Sequence, residues 1–169
     1  MSDREAQKKA EEMRHAALDR GESFAFETVM SHVSKIDFMH EAKQKGDEVR
    51  LYFITTQDPD INKIRVSQRV SEGGHNVPPD KIEPRYHRSM VLLPLALVHA
   101  DHAKVYNNSF EDQRLIIEKS PERGVRIYPQ PVPSKWSKER IAELMKGTKE
   151  ALKLYNQQQQ TKGYEKPEH

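Results

Sequence analysis

A chain of 169 residues can build one sizeable hydrophobic core but not two independent ones. Its 32% charged and 35% hydrophobic residues, with a net charge of +2, exclude a wholly disordered chain and a global electrostatic hold on nucleic acid, so any basic function must be local. The lack of cysteine excludes disulfides and thiolate metal sites; with no apolar run near the ~20 residues of a membrane span and no signal segment between Met1 and Arg20, a cytoplasmic protein without a membrane partner is expected.

Ala6, Ala10, Met13, Ala17 and Leu18 recur at helical spacing, which predicts a helix over 3–20 stopped by Gly21. Residues 23–27 then read as a short buried strand. Ser34 can cap a second helix that carries Ile36, Phe38, Met39 and Ala42 and ends at Gly46, and residues 49–55 form a strongly apolar strand. Asp58-Pro59 pairs an N-cap with a proline at the first helical position, so a third helix starts there and runs to Glu72. Pro78-Pro79 restarts the chain, and a longer helix over 88–100 has to accommodate Pro94. A strand ends at 105–107. Residues 115–118 and 125–128 flank Pro121-Glu122-Arg123-Gly124 and predict an antiparallel hairpin. Residues 129–133 form an extended connector, followed by a last helix from Ser134 or Ser137 to Tyr155. The expected whole is one α/β domain over 1–156, a mainly parallel sheet flanked by helices with a small antiparallel extension, and a disordered polar tail over 157–169.

The most informative stretch is Arg65 to Pro78, with Arg85-Tyr86-His87-Arg88-Ser89 behind it, which sets four arginines around Gly73-Gly74. A planar five-donor guanidinium suits phosphate oxygens, and the glycines let the chain reverse so that the pairs Arg65/Arg69 and Arg85/Arg88 can face one anion. The same pattern also fits a solvated helix face beside a turn. Phe24-Ala25-Phe26-Glu27-Thr28 lies upstream, and Val105-Tyr106-Asn107-Asn108-Ser109 downstream.

In order and spacing these three segments resemble the zeta-toxin type of P-loop kinases, over residues 5–130. The resemblance implies an ATP- and Mg²⁺-dependent phosphotransferase acting on UDP-N-acetylglucosamine or a similar phosphorylated small molecule, with an antitoxin as a possible partner. It implies that Glu27 and Thr28 hold the substrate, that Arg69, Arg85 and Arg88 act in phosphoryl transfer, and that Arg65, His75, Asn108 and Ser109 contact the nucleotide. Two departures stand out. Asn107 occupies the place of an acid in the family's Asp-Asn-Ser turn, and Pro84 replaces a basic residue before Arg-Tyr.

None of the seven glycines is followed by lysine, so the phosphate loop G-x-x-x-x-G-K-[ST] does not occur in these residues. In the family's sheet that loop follows a central strand, between the strand ending at Glu27 and the one over 49–55. Those two strands are therefore expected to pair directly, or a separate phosphate-loop-bearing chain or self-association fills the gap. The competing readings are a kinase domain inactive alone, a non-catalytic binding or interaction module, and, disfavoured by charge, a nucleic-acid binder. His99 and His102 are spaced for two imidazoles on one helix face, yet no third ligand recurs nearby and no metal site is expected. Trp136 reads as an anchor for the last helix.

Overall fold

The computed structural model describes residues 2–130 and 138–164. The first helix, α1 (Asp3–Asp19), begins with a reciprocal cap in which Ser2 Oγ accepts from Glu5 N–H and Glu5 Oε2 accepts from Ser2 N–H. Gly21, at φ +68°, lets the chain leave the helix through the left-handed region. In α2 (Ser34–Gln44) Ser34 is the first helical residue and caps nothing; the preceding Val33 offers no side-chain acceptor. Asp58 does cap α3 (Pro59–Ser71), accepting from Asp60 N–H at 2.9 Å.

The parallel pair β1 (Arg50–Thr55) and β2 (His102–Asn107) forms one side of a four-stranded sheet of order β1-β2-β3-β4. β3 (Arg114–Ser120) and β4 (Gly124–Ile127) add antiparallel neighbours, the expected hairpin. The sheet is thus mixed, with one parallel and two antiparallel pairings, where a mainly parallel sheet was expected. Residues 23–27 form no strand. Their backbone makes no hydrogen bond to any other described backbone group, and Phe24 and Phe26 turn instead to Phe38 of α2, at ring distances of 6.1 and 5.7 Å.

Between the two parallel strands lies α4 (Pro79–His99), which starts nine residues earlier than expected. It runs through Pro84 and Pro94, so the carbonyls of Asp80 and Met90 have no i+4 donor. Its face of Ile82, Ser89, Leu93, Ala96 and Leu97 is buried. The core joins Leu93, Ala96 and Leu97 to Ile36 and Met39 of α2, Leu51 and Phe53 of β1, Ala103 and Val105 of β2, and Ile141 and Tyr155 of α5 (Lys138–Tyr164). It lies on one face of β1; on the other, Tyr52 and Ile54 are 64% and 57% exposed. α5 also corrects the expected disordered tail over 157–164, because it continues through Tyr164. Glutamine is a good helix former, and Gln159 Nε2 donates to Asp37 Oδ1 at 2.7 Å. Trp136 and most of the connector lie outside the described residues.

Two polar clusters lock the layers. Lys119 Nζ donates to the carbonyls of Leu97 and Ala100 at 2.7 Å and of Val98 at 3.2 Å, so β3 supplies the missing donors at the end of α4. His99, buried at the same end, donates from Nδ1 to the Leu95 carbonyl at 2.8 Å. It stacks edge-on against His40 of α2 and Tyr155 of α5, whose hydroxyl donates to Asp37 Oδ1 at 2.6 Å. Tyr155 is pushed well above the ordinary phenol range, by burial first and by the Asp37 carboxylate second.

Burial, together with the facing His40 and Lys119, depresses the His99 pKa below 6.5, against the opposing pull of the Leu95 carbonyl and Asp37. A histidine with a depressed folded pKa binds its proton more readily in the unfolded chain. Its effect on stability is absent above the unfolded pKa and unfavourable as pH falls below it. Urea denaturation at about pH 8 and about pH 5 should therefore show an acid-side loss that His99→Phe, which keeps a ring in the stack, makes smaller. Equal losses in the parent and the variant would show that His99 does not carry the effect.

Candidate functional site

Parallel pairing sets the carboxyl ends of β1 and β2 side by side, the place where open α/β sheets bind ligands. Here the backbone is closed by Asn108 N–H, which donates to the Thr55 carbonyl at 2.7 Å. Ser109 then links the two ends: its Oγ accepts from Gln57 N–H at 2.7 Å and donates to Asn107 Oδ1 at 2.6 Å, while its own N–H donates to the same oxygen at 3.1 Å. Asn107 is wholly buried, and its Nδ2 has no hydrogen-bond partner among the described residues. An aspartate would accept the same Ser109 bonds but leave a second buried oxygen without a donor.

The next residues support this floor. Thr56 is buried; its Oγ1 lies 2.5 Å from Asn62 Oδ1 of α3 and 3.0 Å from the Asp58 carbonyl, and its own carbonyl accepts from Tyr86 Oη at 2.7 Å. Thr56 and Tyr86 were not singled out from the sequence. The available signal was Tyr86's spacing from Ile82, Ser89 and Leu93, which puts it on the buried face of α4. Burial raises the Tyr86 phenol above its ordinary value, so it stays a hydrogen-bond donor at neutral pH.

The arginines fall into sets. Arg65 faces the floor and, with Ser109, Phe110, Glu111, Asp112 and Arg114, lines an open groove of about 560 Å³. The Arg114 guanidinium lies 4.2 Å from the Phe110 ring centre. Arg88 turns instead toward the segment before α2, donating from Nε to the Ser31 carbonyl at 3.2 Å. Arg69 is exposed one turn beyond Arg65, and Arg85 is half-buried. The guanidiniums of Arg65, Arg69 and Arg85 make no hydrogen bond or ion pair with any described residue, and the same holds for the exposed His75 ring. After α3 the loop folds back so tightly that Gly74 N–H donates to the Arg69 carbonyl at 2.7 Å, and a Cβ on Gly74 would sit 2.8 Å from that oxygen.

Glu27 does not lie at a strand end, because no strand precedes it; it is exposed on an irregular segment. Beside it Thr28 Oγ1 accepts from Met30 N–H at 3.4 Å, and Met30, buried at φ 50°, turns the chain toward Ser31 and Arg88. The Glu27-Thr28 segment and Arg88 therefore belong to one neighbourhood, and Arg65 and Ser109 to another. His99 and His102 do not share a helix face: α4 ends at His99, and His102 opens β2 beside Glu48. Among the described residues no helix is long and apolar enough to cross a membrane.

A model of the zeta toxin family matches residues 2–120 of this chain. An uncharacterized protein of Haemophilus influenzae is 34% identical over 86 residues, covering 51% of this chain and 61% of that relative, so the chain spans less than two thirds of the relative's length. No solved structure matches.

The buried Asn107 amide yields a direct test of the floor. Asn107→Asp should cost ~1–3 kcal/mol at neutral pH, since a carboxylate oxygen takes the place of a group with no partner. Its folded pKa would be raised by burial, so the deficit should shrink as pH falls toward the unfolded value of about 3.9. Parallel denaturation of the parent and the variant across this range checks it. Equal stability at neutral pH would mean that a donor or cation already serves that oxygen.

Proposed function

This chain belongs to the zeta toxin family, and from that premise we propose that it is the substrate-holding part of a zeta-toxin-like phosphotransferase. It binds a phosphorylated sugar nucleotide, UDP-N-acetylglucosamine or a close relative, and transfers no phosphoryl group alone. The observation that carries this reading is the set of guanidiniums at Arg65, Arg69 and Arg85, unpaired within the described residues and carried on the two helices that follow β1. An arginine with no internal partner keeps all five donors for a ligand, and phosphate oxygens are the acceptors that suit it best. Arg88, held near Thr28 through Ser31, would meet the part of the ligand that Glu27 contacts, a sugar hydroxyl in this reading.

ATP and Mg²⁺ do not fit these residues. No glycine is followed by lysine, so the backbone cradle and the lysine for the β- and γ-phosphates are lacking. The metal would need carboxylate or hydroxyl oxygens, but Asn107 supplies an amide, the Thr56 and Ser109 hydroxyls are engaged internally, and no cluster of three possible metal ligands occurs among the described residues. Catalysis in this reading requires a phosphate loop from outside these residues. A non-catalytic binding or interaction module, with an antitoxin or other protein as its partner, is the second reading, favoured by that same lack of a phosphate loop.

Titration calorimetry separates these readings. ATP with Mg²⁺ should show no saturable sub-micromolar binding, whereas UDP-N-acetylglucosamine should bind and lose affinity about tenfold or more in Arg69→Ala and Arg85→Ala. Each variant should change folding stability by only ~0–1 kcal/mol, as expected of exposed or unpaired charges. Tight ATP binding would overturn the division of labour; no sugar-nucleotide binding by the parent would leave the interaction module as the better account.

A further inference from the structure

Three helices meet at a cluster of aromatic rings, one ring from each. His40 of α2, His99 of α4 and Tyr155 of α5 lie edge to face in every pairing. The ring centres are 5.5 Å apart between the histidines, 5.9 Å from His40 to Tyr155 and 5.2 Å from His99 to Tyr155. One carboxylate oxygen closes the cluster, because Asp37 Oδ1 accepts from the Tyr155 hydroxyl at 2.6 Å and from Gln159 Nε2 at 2.7 Å. Both bonds tie the second half of α5 to α2. The helix packs through Ile141, Leu144, Met145, Thr148, Tyr155 and Gln159, spaced at three and four residues, and among the described residues no backbone hydrogen bond joins it to the sheet. Neither the strand pairing nor the Lys119 cap on α4 uses any residue of α5, and α5 lies beyond the residues that the zeta toxin model matches.

The groups around His99 disfavour a positive charge there. His40 faces it from α2 and the Lys119 ammonium from β3, Lys119 lying in turn beside the Lys43–Asp101 ion pair; α5 contributes only the uncharged Tyr155 phenol. Asp37 of α2 is the one anion that favours the charge. With Nδ1 already donating to the Leu95 carbonyl, an added proton enters at Nε2. Protons on both imidazoles set two cations side by side in a site where His99 is 8% exposed. We propose that this cluster is an acid-released latch: protonation of His99 and His40 frees the second half of α5 from α2 and α4 while the four-stranded sheet stays folded. Release withdraws Tyr155 from the core that it shares with Ile36, Leu93 and Leu97. The sign follows from burial. His99 takes up its proton at lower pH in the closed state than in the released one, where it meets water and titrates near 6.5. The latch is therefore closed above that value and weakens as pH falls below it, the open population rising by up to about tenfold per pH unit for each proton taken up. The acid-side destabilisation that His99 causes is on this view local to one helix. It does not depend on what binds at the carboxyl ends of the strands.

Residue-resolved amide exchange at about pH 7.5 and about pH 5.5 tests the latch, each rate being divided by that of the unstructured chain at the same pH. Protection over residues 150–160 should fall about three- to tenfold at the lower pH, while that of Leu51, Phe53 and Thr55 in β1 holds. A double variant, His40→Phe with His99→Phe, keeps all three rings but takes up neither proton, so its α5 should be equally protected at both pH values. Tyr155→Phe keeps the ring and loses the bond to Asp37; it should lower α5 protection at both pH values alike and leave their ratio unchanged. Should the double variant not fold, the imidazole titrations of the parent, followed by NMR, decide: His99 titrating at or above the ordinary histidine value overturns the proposal. So does an α5 as well protected at the lower pH as at the higher, or a pH ratio that persists in the double variant. Equal loss of protection in α5 and β1 overturns it too, because the whole fold would then open at once.

Discussion

A peptide group withdrawn from water needs a hydrogen-bond partner, and among the described residues β1 meets that need on one side only. Its pairing with β2 fixes nearly everything of consequence. The register carries Thr55 to Asn107, so the residues after each strand meet, and the Ser109 hydroxyl can tie Gln57 to Asn107 across the junction. The same pairing turns Leu51 and Phe53 inward to the helices and leaves Tyr52 and Ile54 without cover. A candidate floor for a ligand and an edge with no described neighbour are thus two results of one strand pair.

The helices are held to that pair by polar groups with few alternatives. Asp101 accepts from Val49 N–H at 2.8 Å and from Lys43 Nζ at 2.7 Å, fixing the turn from α4 into β2. Lys119 closes the end of α4 from the far side of β2. The rigid end of α4 lies at the amino-terminal side of the strands, while its first turns, bearing Arg85 and Arg88, stand over the carboxyl ends through Tyr86 and Thr56. Arg85 on those first turns has no partner among the described residues, whereas Arg88 donates to the Ser31 carbonyl.

Local signals were legible where the physics is local. Ser2 with Glu5, Asp58 with Pro59, and the Gly124 turn all mark element ends by chemistry contained within a few residues, and α1, α3 and the hairpin are set by them. The apolar β1 was equally readable. Residues 23–27 have a strand's composition, but a strand exists only where a neighbour completes its hydrogen bonds, and none of the described backbone does so. Pro84 obscured the start of α4 because proline reads as a boundary, whereas burial of Leu93, Ala96 and Leu97 outweighs two lost helical bonds. The glutamine run hid the end of α5, which a single contact with Asp37 helps to hold. In the site, the arginines were visible as residue types; which neighbours Arg65 and Arg88 meet depends on the β2–β3 turn and on Ser31, distant in sequence.

Residue-resolved amide hydrogen exchange at high dilution examines the strand pair most directly. The N–H groups of Leu51, Phe53 and Thr55, bonded to β2, should exchange slowly, while those of Tyr52 and Ile54 exchange fast, alternating along one strand. Slow exchange at all five under those conditions would mean that this edge is already paired within the chain, contradicting the open sheet.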